Sequence, residues 1–199
     1  MLGTYDVVVI GAGIVGLATA MKIAQRNRGL RIAIVEKELD IGLHQTGHNS
    51  GVIHAGIYYS PGTHKANFCS IGSEMLRRFC TEQGVIYRLC GKLIVAVDES
   101  EIPGLDALYK RGIANGLKDL EIIDRPRIKE LEPNANGIKA VYSPNTGIVD
   151  YGEVNRSILQ VFQDIGGDLF VGSEVMGITN TPEKIRIETK RGDLVAKYV

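Results

Sequence analysis

The chain has no excess of either charge, no cysteine framework, no internal repeat and no apolar run long enough to cross a bilayer. Lysine plus arginine equals aspartate plus glutamate at 23 each, so no global field draws it to nucleic acid or to an anionic surface. Nucleic acid is not expected as a partner, and no oligomeric state follows from the pattern. Cys69, Cys80 and Cys90 are an odd number without zinc-ligand spacing, which argues for reduced thiols in a cytoplasmic setting. The most apolar stretch, Val7 to Met21, is broken by Gly11, Gly13 and Gly16 and lacks a basic flank. It is too short for a span of roughly 20 residues and unlike a signal peptide. Peripheral attachment to the inner face of a membrane is compatible with all of this.

With 44% apolar and 23% charged residues, the chain is able to bury a core. Asp6 to Ile10 and Arg31 to Val35 are continuous β-rich runs suited to strands buried on both faces, and Ile14 to Arg26 between them has helical spacing. Helices are predicted over Lys65 to Gln83, Glu101 to Asn115, Arg127 to Leu131 and Glu153 to Ile165, the last closed by Gly166-Gly167. Val85 to Val97 turns β-like, and strands at 140–142 and 147–151 flank a Ser143-Pro144-Asn145 turn. Asp168 to Val171 returns to β structure. Lys184 to Thr189 and Asp193 to Val199 then alternate like a hairpin. The sequence stops within that last strand, so a truncated piece of a longer chain is expected, its final strand an exposed sheet edge. The pattern changes place one domain over residues 1–84 and 152–199 and an inserted portion over 85–151.

Gly11-Ala12-Gly13-Ile14-Val15-Gly16 follows a strand and opens a helix, the context that gives a glycine motif meaning. The first glycine permits a tight turn, the second lets backbone approach a pyrophosphate, and the third lets helix and strand pack closely. Phosphate charge then meets the positive helix N-terminus. Glu36, with Lys37 beside it, closes the second strand 20 residues beyond Gly16, where a carboxylate accepts from ribose hydroxyls and repels a 2′-phosphate. The motif alone does not separate FAD from NAD.

A second glycine-rich segment, Gly42 to Tyr59, separates them. Where an NAD-only dehydrogenase would proceed to another parallel strand, this chain has a long polar loop able to reach a second part of a large cofactor. Here the sequence resembles the FAD-dependent oxidoreductases of the D-amino-acid oxidase and glycerol-3-phosphate dehydrogenase superfamily. The run from His44 to Tyr59, with Cys90 to Val95, Glu130 to Pro133 and Thr146 to Asp150, is similar to its L-2-hydroxyglutarate dehydrogenase (oxidase) family.

That resemblance implies an α/β fold: a Rossmann-type FAD-binding domain with an inserted antiparallel β-sheet substrate domain, truncated at the C-terminus and inactive as a fragment. It implies FAD as cofactor, a small 2-hydroxy acid as substrate, and oxygen or a membrane quinone as electron acceptor. It assigns Thr46, His48, Asn49, Ser50 and Gly51 to the pyrophosphate and flavin loop and the Val175 backbone to adenine. His54 falls where relatives face the flavin with a histidine. A proton acceptor or substrate ligand, a covalent flavin link and a structural role all stay open for it. Tyr58, Tyr59 and Lys65 fit substrate carboxylates or plain packing equally well. His44, His48 and His54 lack an accompanying cysteine or carboxylate pair, so no metal is expected. The rival readings are a related flavin oxidoreductase acting on glycerol 3-phosphate or an amino acid, and a non-catalytic nucleotide-binding fragment.

Overall fold

The computed structural model describes residues 1–199. In chain order the first elements are β1 (Gly3–Ile10), α1 (Ile14–Arg26), β2 (Ile32–Val35), β3 (Val52–Ile53), α2 (His64–Gln83), β4 (Tyr87–Arg88) and β5 (Lys92–Ala96). There follow α3 (Ile102–Ala114), β6 (Glu121–Asp124), α4 (Arg125–Leu131), β7 (Lys139–Ser143), β8 (Gly147–Val149) and α5 (Tyr151–Asp164). The chain ends with β9 (Asp168–Phe170), β10 (Val175–Asn180), β11 (Ile185–Thr189) and β12 (Leu194–Tyr198).

Two compact units divide at Ser50/Gly51 and Val149/Asp150. Residues 51–84, grouped with the first domain by sequence pattern, fall in the second unit, because β3 pairs with β8 rather than with the large sheet. The first unit is built on a six-stranded sheet in the order β10-β11-β12-β1-β2-β9. β12, β1, β2 and β9 run parallel, while β10 and β11 form an antiparallel extension. All four residues of β2 are buried, as its continuous apolar run requires of a strand covered on both sides. Tyr5, Val8, Ala33, Val35, Ile187, Leu194 and Ala196 form one layer of its core. Tyr5 donates its hydroxyl proton to Asp168 Oδ2 at 2.9 Å, joining β1 to β9 past β2. Burial, then Asp168, pushes the Tyr5 hydroxyl up to about 12.

The terminal strand is not the exposed edge that its position in the sequence predicts. β12 inserts between β11 and β1, and the edges are β10 and β9. A chain end says nothing about sheet order, because parallel pairing to β1 is a long-range contact. Three strands lie outside the sequence reading: β3, β6 and β10. The first two have two and four residues, too short for alternation to register. In β10 Met176 and Ile178 are exposed, which blurs the usual inward and outward pattern.

The second unit holds two three-stranded antiparallel sheets, β3-β8-β4 and β5-β7-β6, with α2, α3 and α4. The predicted strand at 147–151 stops at Val149 because Asp150 caps α5, its carboxylate accepting from Gly152 N at 2.7 Å and Glu153 N at 3.2 Å. The helix therefore starts at Tyr151, ahead of the predicted Glu153.

Candidate cofactor cleft

In the first unit, β1, β2 and β9 are parallel, and their carboxyl ends border a cleft of about 410 Å³. That volume is within the usual range for small-molecule sites, about 300–1,000 Å³. Each wall follows from one strand ending. After β1 the chain turns at Gly11, whose φ of +101° suits glycine alone. A methyl group at Gly16 would collide with the Gly11 carbonyl oxygen, so α1 approaches the turn only because residue 16 has no side chain. After β2 comes Glu36, buried at 8% exposure. Its Oε2 accepts from Ala12 N at 2.7 Å and its Oε1 from Glu38 N at 3.0 Å. After β9 the loop is fastened to the same place: Ser173 N donates to Glu36 O at 2.7 Å and Gly172 N to Glu38 O at 2.6 Å.

Thr46 brings the second glycine segment to the first. Its Oγ1 accepts from Ile14 N at 3.0 Å, and a Cβ on Gly13 would stand 3.3 Å from that oxygen. A hydroxyl that accepts from a helix N–H still has its own proton to donate. No acidic residue lies in the first turn of α1 and its N-cap, Gly13, has no side chain, so beyond the one N–H held by Thr46 the positive helix end is left to an anion.

Among the residues singled out from the sequence, Gly11, Gly13, Glu36, Lys37, Thr46 and Val175 line the cleft. Ala12, fully buried, and Gly16 shape it from behind. Ile14 serves through its N–H, and Val15 is 77% exposed at the helix start. His48, Asn49 and Ser50 continue the loop without lining the cleft. His48 Nδ1 lies 3.0 Å from His44 O, and Asn49 Nδ2 donates to Thr46 O at 2.7 Å. Gly51 and His54 belong to the second unit, where Gly51 O accepts from Val149 N at 2.8 Å. His54 directly follows β3. Partial burial, then the Lys92 ammonium, holds its imidazole below the ordinary histidine value.

Several cleft residues escaped the sequence reading. Ser173 and Glu174 line it, and the rule that ligands bind beyond the carboxyl ends of parallel strands would have pointed to the loop after β9. His44, weighed from the sequence only as a metal ligand, also lines it, its Nε2 2.9 Å from Glu38 Oε1. That imidazole, ahead of Lys37, holds the Glu38 carboxyl below the usual range. Asn155 on α5 had no sequence signal. At 1% exposure, its Nδ2 donates to Ala12 O at 3.2 Å and would stand 2.8 Å from a Cβ on Gly42, so it joins both glycine segments. Its Oδ1 is buried without a protein partner.

A cleft of this kind, at the ends of parallel strands and beside a glycine turn, defines a dinucleotide-binding α/β protein. The family is narrower. Residues 6–199 match the family model DAO, FAD dependent oxidoreductase, and the chain belongs to that family. It is 47% identical over 190 residues to the mitochondrial L-2-hydroxyglutarate dehydrogenase of Nematostella vectensis, covering 96% of this chain and 42% of that protein. It is 48% identical over 180 residues to the mitochondrial L-2-hydroxyglutarate dehydrogenase of Homo sapiens, with 90% and 39% covered. The chain thus spans less than half the length of these curated relatives. Among solved structures, it is similar to the FAD-bound, dithionite-reduced L-α-glycerophosphate oxidase of Mycoplasma pneumoniae. That likeness has a TM-score of 0.90 and 26% identity, and covers 98% of this chain and 52% of the other. For glycine oxidase of Bacillus cereus the TM-score is 0.81 at 26% identity, with 97% and 53% covered.

The cleft fits the ADP half of FAD, the family's cofactor. The N-terminus of α1, with no carboxylate in its first turn, and the Thr46 hydroxyl proton suit a pyrophosphate. A carboxylate has about four acceptor sites, so Glu36 can serve ribose hydroxyls in addition to two backbone N–H groups.

Proposed function

We propose that, in a chain of its relatives' full length, the protein oxidises L-2-hydroxyglutarate to 2-oxoglutarate, the 199 residues alone being inactive. The observation that carries the substrate is the 47% identity over 96% of the chain to a protein of that name. FAD, when bound, supplies the acceptor for the C2 hydrogen and its electron pair. Gly11, Gly13, Thr46 and the α1 N-terminus hold the pyrophosphate, Glu36 takes the ribose hydroxyls, and the Val175 backbone meets adenine. Lys37, His48, Asn49, Ser50 and Gly51 complete the loop around the cofactor. His54 accepts the hydroxyl proton as the C2–O bond becomes a carbonyl. An imidazole kept below its ordinary value is neutral at pH 7 and so able to take that proton. The protein otherwise orients C2, since placement alone supplies up to about 7–11 kcal/mol of a barrier. Oxygen or a membrane quinone reoxidises the cofactor, and we place the protein in the cytoplasm, peripheral to the membrane where a quinone serves. No helix is long and apolar enough to cross a membrane.

The test is anaerobic loss of the oxidised-flavin absorption band in the full-length, FAD-loaded protein on adding L-2-hydroxyglutarate, with 2-oxoglutarate assayed as product. Bleaching by glycerol 3-phosphate or glycine and not by L-2-hydroxyglutarate would replace this substrate with one of those. ADP binding with no flavin reduction by any of them would make the chain a nucleotide-binding module.

A further inference from the structure

Strand β5 is covered on both faces. Leu93 and Val95 pack in a layer with Ile123, Ile128 and Ala140. Ile94 and Ala96 pack in another with Ile57, Leu105 and Val141. Side chains alternate along a strand, so Lys92 heads the row of Ile94 and Ala96, where an apolar residue would satisfy both pattern and packing. The residue is half-buried, so its apolar stem covers the row while the ammonium needs a polar or aromatic neighbour at its end. Lys92 Nζ stands 4.5 Å from the centroid of the Tyr58 ring, and Lys92 takes part in none of the protein's ion pairs. A second cation holds the same tyrosine, for Arg111 Nη1 donates to Tyr58 O at 3.2 Å, and Arg111 too has no carboxylate partner. Asn115 Nδ2 fastens the neighbouring carbonyls, Gly56 O at 3.1 Å and Tyr59 O at 2.8 Å. The segment that follows His54 is thus fastened by Asn115 and Arg111 and faced by two cations, Lys92 and Arg111, that form no ion pair.

We propose that Lys92, over the Tyr58 ring in the segment that follows His54, is a carboxylate-binding subsite that takes one carboxylate of a 2-hydroxy dicarboxylic acid, Arg111 fixing Tyr58 in place. The inference rests on the substrate reading above and adds to it the residue that selects a diacid. A bound carboxylate would give Lys92 the charge-assisted hydrogen bond it lacks. A position that breaks the local packing rule is where a functional residue is expected. The ring that Lys92 covers belongs to the segment that directly follows His54, and the Lys92 ammonium adds to burial in lowering that imidazole.

The experiment uses the full-length, FAD-loaded protein and two variants, Lys92→Met, which keeps the apolar stem, and Lys92→Arg, which keeps the charge. Glutarate, a diacid without the reactive hydroxyl, is titrated by calorimetry. KM and kcat are measured for L-2-hydroxyglutarate and for L-2-hydroxyvalerate, which has a methyl group in place of the distal carboxylate. Lys92→Met is expected to weaken glutarate and raise KM for L-2-hydroxyglutarate by about 10- to 150-fold, the range for a hydrogen bond to a charged group. The kcat should stay within about threefold and Lys92→Arg should recover most of the loss. An equal KM rise for L-2-hydroxyvalerate would assign the C1 carboxylate to Lys92, whereas an unchanged KM would assign the distal one. Unaltered glutarate affinity in a folded, FAD-loaded Lys92→Met, or no glutarate binding by the parent, overturns the subsite. Glutarate binding that depends on Lys92, in a protein that does not oxidise L-2-hydroxyglutarate, would leave the subsite standing and remove the substrate reading instead.

Discussion

Glu36 does two things at once, and the balance between them sets what a substitution will do. Its buried carboxylate holds the phosphate turn through Ala12 N and, in the proposed complex, accepts from ribose. Glu36→Gln keeps the shape but turns an amide N–H₂ toward a backbone donor. FAD affinity should fall by about 10- to 150-fold, from the roughly 1.5–3 kcal/mol of a hydrogen bond to a charged group. Fluorescence titration of a folded variant with parental affinity would exclude the role. His54 is read by pH. Its value is lowered from the ordinary one of about 6.5, so the neutral, accepting form persists at pH 7. The decline in the rate of flavin reduction as pH falls should have its midpoint below the ordinary histidine value of about 6.5, by stopped flow. Lys92→Met removes the neighbouring cation and should move that decline to higher pH. His54→Ala should cost at least about a hundredfold, the lower range for a lost general base, with FAD retained. A decline centred well above pH 7, or a near-parental rate in His54→Ala, would remove the histidine from the proton's path.

At the scale of elements, two glycines on helices predict opposite outcomes. Gly16 lies in the first turn of α1, where a methyl group meets the Gly11 carbonyl oxygen. Gly16→Ala must push α1 away from the turn, costing about 1–3 kcal/mol as overpacking does, and FAD binding should weaken with it. Gly72, in the middle of α2, has nothing within 4 Å of the place a methyl group would take. Gly72→Ala should therefore stabilise by about 0.5–1 kcal/mol through backbone entropy. Thermal melts of both variants, with and without FAD, check the pair. A Gly16→Ala variant as stable and as tight for FAD as the parent would contradict the packing described for the turn.

At the scale of the whole molecule, the cleft is assembled from residues 10–46 and 173–175, all in the unit formed by Met1–Ser50 and Asp150–Val199. ADP alone should therefore protect amides of the phosphate turn, the 36–47 segment and the loop after β9 from hydrogen exchange. Residues 51–149 should be little changed. At a hundredfold excess over its Kd, ADP should add about 2.7 kcal/mol to the stability of the first unit. Protection concentrated in 51–149 would relocate the nucleotide.

Much of this was legible in the chain. The β1-α1-β2 run, the tasks of Gly11, Gly13 and Gly16 and the acid at Glu36 are local: a strand, a turn and a helix start are encoded within about 25 residues, and short-range pattern reads them. The resemblance carried by residues 44–59 points to the family from sequence alone. Tertiary structure alone decided what depends on contacts between distant segments. It put β12 beside β1 rather than at an edge, fastened the loop after β9 to Glu36, and grouped 51–84 with the second unit. It also turned Asn155, one polar residue on an amphipathic helix, toward Ala12 from 143 positions away, and stood Lys92 over Tyr58. Periodicity reports which face of an element is apolar, whereas the partner of a buried polar group is set by packing between elements, and no spacing within the sequence encodes it.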